Sequence, residues 1–360
     1  MPTASSAGTV RTLLVTGAAG FIGSAVVRHL LEATPHRVVS YDALTYAGGR
    51  DNLPDDERHV FVEGDVADAE ALADAFARHA PDAVLHLAAE SHVDRSIDGP
   101  AAFIRTNLVG TFTLLEAARA HLAALDEPQR ARFRFVHVST DEVFGSLGPE
   151  GAFDAATPYD PRSPYSASKA GSDHLARAWF HTYALPVIVT NCSNNYGPRQ
   201  FPEKLVPHLL LRALQGAQLP VYGDGSNVRD WLYVGDHARG LVDAALRGTP
   251  GATYLFGGNS ERTNLEVVRA LCAVLDELRP DGAPHERLIT FVRDRPGHDF
   301  RYAIDATSAR DGLGWAPSLG FEAGLRATVQ WYLANLEWCE RRLGGGYALE
   351  RLGVAAADGT

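Results

Sequence analysis

Thr140, Asp141 and Glu142 stand side by side in the stretch HVSTDEVFG, where an apolar run ends. A hydroxyl beside two carboxyl groups can give and take protons on one bound molecule. It needs the two acids in different protonation states, and close like charges and burial separate such values. The same pair of acids also suits an ordinary solvated loop. A second pair offers another kind of proton chemistry. Tyr165 and Lys169 fall four positions apart in SPYSASKAGSDHLARAWFHTY, which puts them on one face of a helix. An ammonium near a phenol favours the phenolate, lowering a pKa that starts near ~10. Tyr165 then becomes a base for an alcohol proton, and Ser139 or Thr140 could hold that alcohol in place.

The surrounding sequence says what must position these groups. FRFVHVS reads as a buried strand, a short aromatic and β-branched run closed by turn signals at Gly145 and Gly148-Pro149. Thr140 to Glu142 therefore sit at a strand's carboxyl end, the edge where ligands bind in open α/β sheets. Near the N-terminus, TLLVTGAAGFIGSAVVRHLLEA gives a buried strand at Leu13 to Thr16, a turn carrying Gly17, Gly20 and Gly23, and a helix. A second strand, HRVVSYDAL, ends at Asp42, close to the roughly 20-residue offset at which an acid binds an adenosine ribose. Glycine lets the backbone approach a pyrophosphate, and the helix N-terminus offers free N–H groups and a positive dipole end. A carboxylate at Asp42 repels the extra phosphate of NADP, so the expected cofactor is NAD. With that turn upstream, Tyr165, Lys169 and the hydroxyl at the preceding strand end make a hydride-transfer site.

Strand ends in VFVEGDV, AVLHLAA and FRFVHVST alternate with helical segments such as DAEALADAFARHA and AAFIRTNLVGTFTLLEAARAHLAAL. That alternation predicts an α/β fold, a Rossmann-like doubly wound parallel sheet with right-handed crossovers, joined to a smaller C-terminal substrate-binding lobe. Asp65 and Val66, and Leu87, Ala88 and Ala89, end their strands where they could flank the adenine and the central phosphates. The expected division is a lead-in at 1–10, the NAD-binding part at 11–197, a lobe at 198–352 that returns in places to the main sheet, and a tail at 353–360. FEAGLRATVQWYLANLEWCERRL has the periodicity of a packed helix.

At this point the sequence resembles the extended short-chain dehydrogenase/reductase family, and within it the dTDP-glucose 4,6-dehydratases, from about Thr12 to about Leu352. TGAAGFIG and YSASK carry the broad likeness. YDALTYAG, AAESHVDRSI, STDEVFG, NCSNNYGPRQFPEKLVP, VYGDGSNVRDWLYVGDH and RPGHDFRYAID carry the narrower one. The resemblance implies oxidation of the sugar at carbon 4, elimination of water across carbons 5 and 6, and return of the hydride to carbon 6. Oxidation comes first because a ketone at carbon 4 acidifies the carbon 5 proton. By the same likeness Asp141 is the acid at the carbon 6 hydroxyl, Glu142 the base at carbon 5, and Thr140 and Tyr165 address the carbon 4 oxygen. Phe21, Ile22, Thr106 and Asn191 join the cofactor set. Ser91, Asn195, Lys204 and Leu205 are assigned to the sugar and phosphates, Tyr222 to the base, and Arg229, Asn264, Arg295 and His298 to the diphosphate or nucleoside end. The substrate implied is the nucleotide sugar dTDP-glucose, and the assembly implied is a homodimer built on long helices, the one starting at Tyr165 among them. Phe144 stands where tyrosine is usual and Gly171 where serine is frequent, and both are expected to be tolerated.

Bulk properties narrow the alternatives. With 44 acidic and 33 basic residues the net charge is -11, without a basic block, which argues against nucleic acid or an anionic membrane as partner. No apolar run reaches transmembrane length, and MPTASSAGTVR lacks the apolar core of a signal peptide. Cys192, Cys272 and Cys339 are too scattered for a disulfide framework and read as reduced thiols of a cytoplasmic protein. His86 and His92 lie near a strand end, but no third ligand stands at metal-like spacing, so no metal is expected. Two rival readings remain: a nucleotide-sugar epimerase on the same fold, which has no use for the Asp141-Glu142 pair, and a catalytically idle NAD-binding scaffold.

Overall fold

A computed structural model describes residues 9–294 and 299–344. Apolar and β-branched runs of four to seven residues form the main strands: β1 (Thr12–Thr16), β2 (Arg37–Asp42), β3 (His59–Glu63), β4 (Ala83–His86), β5 (Arg134–Thr140) and β6 (Val187–Cys192). Further strands follow: β7 (Asn194–Tyr196), β8 (Leu219–Tyr222), β9 (Val228–Tyr233), β10 (Thr253–Phe256), β11 (Glu261–Thr263) and β12 (Ile289–Val292). The main sheet has seven strands in the order β10-β6-β5-β4-β1-β2-β3, and every pairing is parallel. Its order reverses between β1 and β4, the switch point at whose carboxyl edge a cleft opens.

The crossover helices cover both faces. They are α1 (Phe21–Ala33), α2 (Ala69–His79), α3 (Val93–Asp98), α4 (Pro100–Phe103), α5 (Thr111–Ala124), α6 (Glu127–Arg132) and α7 (Pro164–Tyr183). Between α4 and α5 the chain makes a π-helical stretch, Ile104–Gly110. One face of the sheet packs Leu13, Val15 and Leu85 under α1 and a later helix, and the other packs Leu14, Val84 and Phe135 under α2, α5 and α7. The sheet thus lies buried on both sides, which is why its strands read as continuous apolar runs rather than alternating ones.

Beyond β7 come α8 (Leu205–Leu214), α9 (Val234–Arg247), α10 (Asn264–Leu278), α11 (Thr307–Leu313), α12 (Phe321–Ala334) and α13 (Leu336–Leu343). A separate apolar cluster joins Tyr196, Leu210, Trp231, Leu271 and Tyr332 from β7, α8, β9, α10 and α12. Two small sheets, β11-β9-β7 and β12-β8, flank it. The chain returns to the main sheet twice, with α9 against α1 and β10 paired to β6.

The periodic C-terminal stretch expected as one helix is two. Asn335 interrupts it at φ -131°, ψ 38°, donating from Nδ2 to the Trp331 carbonyl at 2.7 Å. Asparagine competes for backbone hydrogen bonds in this way. The expected tail at 353–360 lies outside the described residues.

Candidate active site

The glycine turn is built for close approach. Gly17 has φ +65°, and a Cβ there would fall 2.6 Å from the Ala88 backbone nitrogen. At Gly23 a Cβ would meet the Gly17 carbonyl oxygen at 2.1 Å, so only glycine lets α1 start this near the strand. No side chain caps α1, leaving its first N–H groups to whatever lies in the cleft, where Phe21, Ile22 and Gly23 form part of the wall. Asp42 closes the far side. Its carboxylate accepts from the Ala19 N–H at 2.9 Å and the Leu44 N–H at 2.8 Å, while burial raises its pKa above the ordinary range.

The cleft has a cavity volume of about 380 Å³, within the ~300–1000 Å³ range of ligand sites. Gly17, Gly20, Asp42, Asp65, Val66, Leu87, Ala88, Ala89 and Thr106 line one end of the site's expected residues, and Thr140, Asp141, Glu142, Tyr165 and Lys169 another part of the same wall. Asn191 stands behind the wall. Wholly buried, it donates from Nδ2 to the Thr140 carbonyl at 3.0 Å and so fixes the end of β5.

That strand end explains how adjacent acids share a site. β5 stops at Thr140 and the backbone turns into a 3₁₀ helix over Asp141–Phe144, with the Thr140 hydroxyl accepting from the Glu142 N–H at 3.3 Å. A continuing strand would send the two acids to opposite faces; the turn brings both to the cleft. Thr140 donates to Asp141 Oδ1 at 3.2 Å. Asp141 Oδ2 is buried with no hydrogen-bond partner among the described residues. Burial first, then the Glu142 and Asp230 charges, push the Asp141 carboxyl well above the ordinary range, against the opposing pull of Arg229 and Thr140. Burial thus favours the protonated form of Asp141.

Ser163 caps α7 by accepting from the Ser166 N–H at 3.0 Å, and Pro164 opens the helix. Tyr165 and Lys169 follow on its inward face. Lys169 Nζ donates to the Val138 carbonyl at 2.8 Å. Burial and the Glu142 charge hold the Tyr165 pKa well above the usual phenol value, rather than below it, with hydrogen bonding from Thr140 acting the other way. Burial lowers the Lys169 pKa, and Asp173, a turn further on, resists that fall. Asp173 is itself fully buried, accepting from Ser139 and Tyr159 at 2.8 Å each and paired with His137 at 3.0 Å. Gly171 has a local cause, since a Cβ there would meet Leu108 Cδ2 at 2.7 Å. Phe144 stacks on Phe153 with centroids 5.2 Å apart.

Of the residues expected to hold substrate, Ser91, Asn195 and Lys204 line the cleft, with Lys204 Nζ donating to the Ser91 carbonyl at 3.1 Å. Leu205, Tyr222, Arg229 and Asn264 are not in its wall. Three of these gather elsewhere. Tyr222 pairs with Val292 in the two-stranded sheet, the Asn264 N–H donates to the Asn227 carbonyl at 2.9 Å, and Arg229 donates to the Asp299 carbonyl at 2.9 Å while lying 4.2 Å over the Tyr302 ring. All of them adjoin the segment 293–300, within which Arg295 and His298 lie outside the described residues. Arg229 joins the two places through its charge, which pulls on Asp141.

Several groups on the site were not singled out by the sequence reading. Glu203, with its side chain 1% exposed, accepts from Arg95 Nε and from the Tyr46 hydroxyl, both at 3.0 Å. Asn107, in the π-helical stretch, holds both the N–H and the carbonyl of Glu90, a cleft residue, at 2.9 and 3.0 Å. The interruption of helical register at such a point is a frequent mark of function, but nothing in local periodicity reveals it. His86 bridges Thr16 at 2.8 Å and Thr111 at 2.9 Å, a structural role. Among the described residues no group of three His, Cys, Asp or Glu side chains could hold a metal ion.

The strand order, the glycine turn and the Tyr165-Lys169 helix together define the architecture of the extended short-chain dehydrogenases/reductases. Comparison with known proteins narrows this. The family description for GDP-mannose 4,6 dehydratase matches residues 14–328. A dTDP-glucose 4,6-dehydratase of Neisseria meningitidis serogroup B is 57% identical over 353 residues, covering 96% of this chain and 99% of that protein. One from Escherichia coli is 55% identical over 358 residues, covering 95% and 99%. The dTDP-glucose 4,6-dehydratase DesIV of Streptomyces venezuelae, solved with NAD and dTDP bound, superposes with a TM-score of 0.83 at 45% identity, covering 92% of this chain and 99% of that one. The chain belongs to the dTDP-glucose 4,6-dehydratase family.

Proposed function

We propose that this protein converts dTDP-glucose to dTDP-4-keto-6-deoxyglucose and water, with NAD as a cofactor that is regenerated in each turnover. One observation carries the reading beyond the fold: Asp141, buried so that its carboxyl is pushed towards the protonated form, stands beside Glu142 on the wall that also holds Tyr165. Elimination of water needs an acid and a base on one substrate, whereas an epimerase of the same fold needs neither in addition to its tyrosine and lysine.

The residues present fit NAD. Gly17, Gly20 and Gly23 leave room for the pyrophosphate, the α1 N-terminus supplies donors, Asp42 takes the ribose, and Thr106, Asp65, Val66 and Leu87 to Ala89 line its path. When bound, NAD supplies the hydride acceptor for carbon 4 and the donor for carbon 6. Thr140 and Tyr165 hold the carbon 4 oxygen, and the positive charge NAD carries when bound would offset the burial and Glu142 charge that raise the Tyr165 pKa, so that the phenol can take the carbon 4 hydroxyl proton. Glu142 then removes the proton at carbon 5, acidified by the new ketone, while Asp141 gives its proton to the departing carbon 6 hydroxyl. Arg229, Tyr222 and Asn264, with Arg295 and His298, take the nucleoside diphosphate, and Ser91, Asn195, Lys204 and Leu205 the sugar side. Asn191 contributes by fixing the strand end under Thr140.

Two further parts belong to this reading. The chain is divided between a cofactor part to about residue 197 and a substrate lobe beyond it, as the separate apolar cluster of the later segments supports. It works as a homodimer in the cytoplasm. In support, Ile104, Val109, Phe112 and Tyr183 on the α5 and α7 side are each 46–48% exposed apart from one another in sequence, a surface that pairing would cover. The three cysteines are free and buried, and no helix among the described residues is long and apolar enough to cross a membrane.

The test is incubation of the purified protein with dTDP-glucose, UDP-glucose and GDP-glucose in turn, with mass spectrometry of the sugar nucleotide. Loss of one water from dTDP-glucose in preference to the others is expected. Epimerisation without water loss would overturn the reading.

A further inference from the structure

The loop after Asp42 forms part of the cleft wall through Ala43, Thr45, Ala47 and Gly48. It has little regular structure of its own, only a short 3₁₀ turn at Arg50–Asn52, so something else must hold it. Asn52 is fully buried and donates from Nδ2 to the Ala19 carbonyl at 2.8 Å. The Gly49 N–H reaches the same carbonyl at 3.1 Å, and Ala19 in turn donates its N–H to Asp42. The loop is thereby tied to the glycine turn.

What tops this chain of bonds comes from the other end of the sequence. Trp338, on α13, donates from Nε1 to Asn52 Oδ1 at 3.0 Å in a buried contact. One turn on, Arg342 donates to the Gly48 carbonyl at 2.8 Å, pairs with Asp51, and lies 5.3 Å over the Trp338 ring. Gly49 is small because Arg342 occupies the space its Cβ would take. On the loop's opposite flank, Tyr46 is pinned by its bond to Glu203, with Arg95 4.1 Å over its ring.

We propose that α13 is a clasp: Trp338 and Arg342 hold the 43–52 loop against the glycine turn and so set how slowly NAD leaves the protein. This rests on the reading that NAD occupies the cleft. A cofactor that must give back what it takes gains from slow exchange, and a wall fastened by a distant helix provides it without touching the reacting atoms.

The experiment loads the full-length protein with NAD, chases it with isotopically labelled NAD, and follows the retained unlabelled cofactor by mass spectrometry. Trp338→Phe and Arg342→Ala are expected to release NAD about tenfold faster, the equivalent of ~1.4 kcal/mol for one lost buried hydrogen bond. Arg326→Ala on α12, which removes an exposed ion pair with Glu277 of α10, is expected to match the parent. Turnover with NAD supplied in excess should stay at the parent level in all three. Release at the parent rate from both clasp variants overturns the proposal. If Trp338→Phe does not fold, Arg342→Ala decides, because it leaves the buried Trp338–Asn52 hydrogen bond in place. A parent protein that holds no NAD would instead overturn the cofactor reading on which the clasp depends.

Discussion

Thr140 donates its hydroxyl proton to Oδ1 of Asp141 across 3.2 Å, and leaves Oδ2 buried at the cleft wall without a partner. The arrangement assigns the acid's proton to Oδ2. Replacing Asp141 by Asn keeps the shape and removes the proton that can be given. Water loss should slow by ~10²–10⁴-fold, while oxidation at carbon 4 continues, so nicotinamide absorbance should build up on the protein after substrate is added. A variant that eliminates water at the parent rate contradicts the role.

The same substitution has a stability signature. Burial raises the Asp141 pKa in the folded state above its unfolded value. The folded chain therefore holds a proton that the unfolded chain releases, and stability falls as pH rises from the unfolded towards the folded value, by ~1.4 kcal/mol per unit. Asp141→Asn escapes this loss. Thermal melting should show the variant more stable than the parent at pH 7, with the gap shrinking as pH falls towards 4.

Glu142→Gln removes the base for carbon 5 and should also reduce water loss by ~10²–10⁴-fold, with NAD binding unchanged. It further removes a negative charge that raises the Tyr165 pKa. Ultraviolet difference titration should therefore place the Tyr165 phenolate at lower pH in this variant than in the parent. No shift would mean that the Glu142 charge does not act on Tyr165.

At Gly17 the positive φ and the 2.6 Å approach to the Ala88 backbone leave no place for a methyl group. The left-handed conformation alone costs an L-residue ~1–2 kcal/mol, and the clash adds to it. Gly17→Ala should lower the denaturation midpoint and weaken NAD binding, measured by calorimetric titration.

Sequence patterns revealed the parts of this molecule whose determinants are local. The Gly17–Gly23 turn, Asp42 at its strand end, Thr140 to Glu142 at theirs, and the Tyr165-Lys169 turn each follow from a few neighbouring residues. The structure brings them to one cleft because parallel strands all finish at the same edge. Other features depend on partners far along the chain. Glu203 meets Arg95 and Tyr46 across more than a hundred positions, and Trp338 meets Asn52 across 286. Neither periodicity nor spacing encodes such meetings. Lys169 shows a subtler limit: its spacing from Tyr165 was legible, but the Val138 carbonyl that accepts its hydrogen bond comes from a strand thirty-one positions earlier.

The most direct test of the account is transfer of a label within the sugar. dTDP-glucose carrying deuterium at carbon 4 is incubated with the purified protein and the product examined by mass spectrometry and NMR. One water should be lost and the deuterium found at carbon 6 of a 4-keto-6-deoxy sugar. A product with carbon 4 inverted and no water lost, or a dehydrated product without deuterium at carbon 6, would contradict it.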